Sequence, residues 1–92
     1  MHKNLTINAA LQKHLQRTDS VHDGIQYVFK FDNNYGASVI RHQYSYGGSK
    51  GLWELAVLKD DELDYTSPIT NDIVGWLEDD RVMDILFEIS KL

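Results

Sequence analysis

Residues 35–58, YGASVIRHQYSYGGSKGLWELAVL, set two β-type runs on either side of a glycine-rich stretch, and this pattern narrows the available folds more than any other in the chain. It predicts strands over Ala37–Tyr44 and Leu52–Lys59 with a turn at Ser45–Gly51. Along the second run Trp53, Leu55 and Val57 share one face, while Leu52, Glu54, Ala56 and Leu58 share the other. A strand apolar on both faces belongs in the interior of a sheet, covered on one or both sides. Upstream, Ile25, Tyr27, Phe29 and Phe31 alternate with Gln26, Val28 and Lys30, which predicts a further strand. Asp32–Gly36 supplies residues that tolerate positive φ, so a hairpin links the two. After Lys59, Asp60-Asp61-Glu62 reads as a solvated turn into a short edge strand, Leu63–Thr66, which Pro68 stops.

Helical spacing appears at the two ends. Leu5, Ala9, Leu11 and Leu15 predict an amphipathic helix over Leu5–Gln16 with Asn4 as N-cap. Thr18–Gly24, polar and closing on Asp-Gly, reads as a loop. Thr70, Asn71 or Asp72 can cap a helix over Ile73–Leu77. The last helix has the strongest signal: Val82, Ile85, Leu86 and Ile89 repeat at i, i+3, i+4 and i+7, with Asp79 and Asp80 at the start and Lys91 at the end. The expected fold class is therefore α+β: an N-terminal helix, a four-stranded antiparallel meander and two C-terminal helices packed on the sheet, in a single domain over 1–92.

With 92 residues the chain has room for one core, and 42% hydrophobic with 25% charged residues is a globular composition. There is no cysteine, so the fold gains nothing from disulfides or thiolate-bound zinc and suits a reducing compartment. No signal-peptide pattern and no apolar run long enough to span a membrane is present. Residues 1–58 carry six Lys/Arg against four Asp/Glu, and residues 59–92 carry three against ten. The acidic final third disfavours direct contact with nucleic acid and favours a basic partner surface.

Arg41 and His42 are neighbours in a predicted strand, so they point to opposite faces and do not form an acid–base pair. Arg41 is a candidate to hold an anionic group of a partner, or to pair with Glu54 across the hairpin. The stretch Tyr44–Gly51 has glycines and Lys50 but lacks the Walker spacing and leads into a strand, so it is not a phosphate loop. Tyr35, Tyr44 and Tyr46 are amphipathic aromatics of the type enriched at interfaces. His2, His14, His22 and His42 include no pair at i, i+3 or i, i+4, and Asp60–Asp64 lacks the calcium-loop spacing, so neither a metal nor another cofactor is expected. No serine lies in a nucleophile-elbow motif.

The blocks Tyr35–His42 (YGASVIRH), Ser45–Gly48 (SYGG), Gly51–Leu58 (GLWELAVL) and Ser67–Asp72 (SPITND) resemble a group of small bacteriophage and prophage proteins that carries no assigned activity. The resemblance runs from about Phe31 to Leu92 and implies an accessory role in the cytoplasm of an infected bacterium. The resulting expectation is a non-enzymatic protein that binds and modulates a host or phage protein, with Tyr35, Arg41, Tyr44, Tyr46 and Lys50 at the contact surface. A second copy of the chain is a further candidate partner. The alternatives are an acidic nucleic-acid mimic that inhibits a DNA- or RNA-binding defence protein and, more remotely, a small enzyme using Arg41 and His42.

Overall fold

The computed structural model describes residues 4–63 and 73–92. In chain order the elements are a one-turn helix α1 (Ala9–Gln12), strands β1 (Leu15–Val21), β2 (Gly24–Lys30) and β3 (Tyr35–Arg41), and a 3-10 turn (Gly48–Lys50). There follow β4 (Trp53–Lys59), β5 (Glu62–Leu63), β6 (Val74–Leu77) and helix α2 (Asp79–Ser90). The six strands form one antiparallel sheet in the order β1-β2-β3-β4, and both β5 and β6 pair with the remaining side of β4 at its two ends.

The α+β class stands, but the expected count of four strands and three helices is overturned. Leu5–Gln16 is not one helix. Asn8, not Asn4, caps a single turn by accepting the Ala10 N–H at 2.9 Å, and the chain leaves the helix before Leu15 to enter β1. A helix this short is marginal without long-range packing, whereas an edge strand gains a backbone ladder whatever its side chains are. The expected loop Thr18–Gly24 is the rest of β1 plus a two-residue turn at His22 and Asp23, both at positive φ (46° and 64°). That is the backbone twist a tight hairpin needs, and Asp60-Asp61 (52° and 68°) repeats it between β4 and β5. Where the helix Ile73–Leu77 is expected, Val74–Leu77 form strand β6, paired through Trp53↔Leu77 and Leu55↔Val74. Its proposed caps, together with Pro68 and the end of the expected strand Leu63–Thr66, lie outside the described residues.

The core forms where the sheet's odd-numbered face meets α2. Tyr27, Phe29, Ala37, Val39, Trp53, Leu55 and Val57 from the strands pack with Val82, Ile85, Leu86 and Ile89 of the helix, and Leu5 and Leu11 join them. All four residues of the predicted α2 stripe are buried. Such a face carries about 1.5–3 kcal/mol per large side chain removed from water. The C-terminal end of α2 is held from the β2–β3 loop, where Asn33 Nδ2 donates to the Ile89 and Leu92 carbonyls at 2.9 and 3.1 Å. The opposite face of the sheet is mixed: Val28 and Ala56 are buried, Ile40 and Leu58 half-buried, and Gln26 Nε2 donates to Ser38 Oγ at 2.8 Å.

Candidate functional site

The β3–β4 connection is a pinned structure and not a loose turn. The Ser45 hydroxyl accepts the His42 N–H at 3.0 Å and donates to the His42 carbonyl at 2.9 Å, closing the first bend. Tyr44 N–H donates to His42 Nδ1 at 3.0 Å, and Tyr46 N–H donates to Glu54 Oε1 at 3.0 Å. Gly47 takes φ = 87°, and its carbonyl accepts the Leu52 and Lys50 N–H groups at 3.0 Å each. This network presents Tyr44 and Tyr46 to solvent, 72% and 60% exposed.

A third exposed aromatic comes from β6. Trp76 is 60% exposed at φ = 59°, inside the bulge where Leu77 and Val74 oppose Trp53 and Leu55. For a bulky side chain this backbone region is a true outlier, with strain on the order of 1–3 kcal/mol. Trp76 N–H donates to the Tyr46 carbonyl at 3.1 Å, so the bulge is fastened to the loop. A Cβ on Gly75 would lie 2.3 Å from Tyr46 Cβ, which leaves glycine as the residue that lets the two segments touch. Trp76 is hidden at the level of sequence, where Ile73–Leu77 reads as a helix; the glycine inside that short apolar run is the contrary signal.

Arg41 lies on the same face of β3 as Val39, away from the exposed aromatics. It is on the core face, 5% exposed, with its guanidinium 4.2 Å from the centroid of the Trp53 ring, itself fully buried. Nη1 donates to the Gly51 carbonyl at 3.3 Å, and Nη2 is buried with no partner among the described residues. The expected alternative partner, Glu54, stands opposite Ile40 on the other face and accepts from Tyr46 instead, so no Arg41–Glu54 pair forms. Asp79, at the start of α2, accepts the Trp53 Nε1–H at 2.8 Å through Oδ1 and the Thr6 N–H at 3.1 Å through Oδ2. Beside this group His22, His42 and Tyr44 pack edge to face, with centroids 5.1 to 6.2 Å apart.

Of the other expected contact residues, Lys50 is exposed at the end of the 3-10 turn. Tyr35 is not part of the site. It opens β3 opposite Lys59, whose Nζ stands 5.3 Å from its ring, about 20 Å of strand away from the loop. Ser45 spends its hydroxyl on the His42 backbone and not on the imidazole, so these two do not form a nucleophile–base pair. Among the described residues no group of three or more His, Asp or Glu is placed to hold a metal ion. Comparison with protein-family models, with curated proteins and with solved structures finds no match to this chain.

Proposed function

We propose that this chain is a small protein-binding domain whose contact surface is the loop–bulge unit carrying Tyr44, Tyr46 and Trp76, and that it acts as a phage accessory protein on a host or phage protein in the infected cell. The observation that carries this reading is Trp76: a large apolar side chain held in solvent on a strained backbone, hydrogen-bonded beside the exposed Tyr46. Tryptophan and tyrosine bury about 150–250 Å² each at an interface and dominate its energetics. Strain retained at an exposed position, where neither packing nor core burial benefits, points to a use for the side chain outside the folded molecule.

The test is Trp76→Gly. Glycine relieves the positive φ, so thermal stability is expected to hold or rise, while capture of the partner by the tagged protein from infected cells falls by about 1–4 kcal/mol in apparent affinity. Undiminished capture by this variant would sink the reading.

The competing reading, an acidic mimic of nucleic acid, draws on the exposed Asp80, Asp84 and Glu88, which recur every fourth residue along α2, about 6 Å apart along its axis. It is separated from the first by ionic strength, because binding through such a row weakens steeply with salt and binding through aromatics does not.

A further inference from the structure

An open cleft of about 930 Å³ lies beneath the aromatic loop, lined by the His22–Asp23 turn, by Arg41 to Gln43, by Gly48, Ser49, Gly51 and Leu52, and by Thr6 with Glu78 and the first two residues of α2. Its volume is within the range of small-ligand sites. Two of its features are unresolved within the described residues. Arg41 is 5% exposed, and its buried Nη2 donor has no acceptor there. Asp23, Glu78 and Asp80, all exposed on the lining, take part in no ion pair among the described residues, the pairs there being Arg17–Asp19 and Lys30–Asp61.

Each feature alone selects the wrong ligand. An unfilled guanidinium donor calls for an oxyanion, but inorganic phosphate or a nucleic-acid backbone would meet the four carboxylates of Asp23, Glu78, Asp79 and Asp80. A simple cation would satisfy the acids and leave Nη2 unfilled. Asp79 accepts from Trp53 and Thr6 through its two oxygens, and no hydrogen bond joins it to Arg41 among the described residues. We infer that the cleft binds a group bearing a carboxylate and a cation together, the carboxylate on Arg41 and the cation toward Asp23, Glu78 and Asp80. That chemistry is a free basic amino acid or the carboxyl-terminal basic residue of a polypeptide. Nη2 is buried, so a carboxylate reaches it only when a neighbouring segment of the lining yields, and the turn at Gly51, whose carbonyl accepts from Nη1, is the segment we assign to that movement. Gly51 has open space beside it, and its hydrogen bond to Nη1 is long at 3.3 Å. The site is distinct from the aromatic surface, so its failure leaves the protein-binding reading standing, and the reverse.

The experiment is a titration of the nitrogen-15-labelled full chain, followed by the indole signal of Trp53 and the amides of Ser49 and Gly51. The probes are L-arginine, an acetylated peptide ending in arginine with a free carboxylate, the same peptide as its amide, and inorganic phosphate. Saturable shifts are expected with the first two, weakened at least about tenfold by amidation and absent with phosphate. Equal affinity for arginine and the peptide assigns the source as a free amino acid; at least about tenfold tighter peptide binding assigns a chain terminus. Arg41→Gln is expected to abolish the shifts. Because Arg41 is buried, the surface double change Glu78→Gln/Asp80→Asn serves beside it, with an expected loss of at least about fivefold and an unchanged fold. No saturable shift from any probe, phosphate binding as well as arginine, or a double variant with unaltered affinity would each overturn the inference.

Discussion

The carboxylate of Asp79 accepts the Trp53 Nε1–H at 2.8 Å and the Thr6 backbone N–H at 3.1 Å, and so links α2, β4 and the N-terminal segment through one side chain. Trp53 is fully buried, and loss of its acceptor leaves an indole N–H without a partner inside the core. Asp80, one residue on, is exposed, and among the described residues it acts on the fold through the helix dipole. Asp79→Ala is therefore expected to lower stability by about 1.5–3 kcal/mol, and Asp80→Ala by about 0.3–1 kcal/mol. Thermal melting of the two variants side by side checks this, and equal melting temperatures would show that the Asp79 contacts contribute nothing. The side of the sheet on which Arg41 falls was legible from strand parity with Val39. Its partner was not, because the Trp53 stacking depends on a β3–β4 register that a loop of uncertain length leaves open.

At the scale of elements, α2 joins the layers. Leu86 is fully buried between the sheet and the rest of the helix stripe, and Leu86→Ala is expected to destabilise the domain by about 2–5 kcal/mol, read from chemical denaturation. An unchanged midpoint would remove α2 from the core. This helix was legible because side-chain burial itself writes the i, i+3, i+4 pattern into Val82, Ile85, Leu86 and Ile89. β1 was not, since all of its residues are exposed or half-buried and its place is fixed by main-chain bonds, which leave little periodicity behind. β6 was lost for another reason. A four-residue apolar run is ambiguous between helix and strand, and what decides it is the ladder to Trp53 and Leu55 together with the close approach of Gly75 to Tyr46. The loop aromatics were recognisable from composition, but that Tyr35 belongs to the far end of the sheet follows only from the Tyr35↔Lys59 pairing.

For the molecule as a whole, the net charge of −5 and the aromatic loop make opposite claims on a partner. Acids such as those of the final third would attract a basic surface at long range, which chiefly affects association rate, whereas aromatics desolvated at an interface would hold a complex once formed. The two are best separated by acids remote from both the cleft and the Asp79 contacts. Asp84 and Glu88 meet that condition, being exposed on α2 beyond its first turn. If the loop–bulge surface carries binding, Tyr46→Ala weakens the partner complex by about 1–4 kcal/mol. Asp84→Asn/Glu88→Gln then weakens it by less than about 1 kcal/mol, an effect that fades as salt is raised. Affinity measured for both variants at low and high salt decides the matter. If the acid variant instead loses binding while Tyr46→Ala keeps it, the loop is not the contact surface and the row of carboxylates on α2 is.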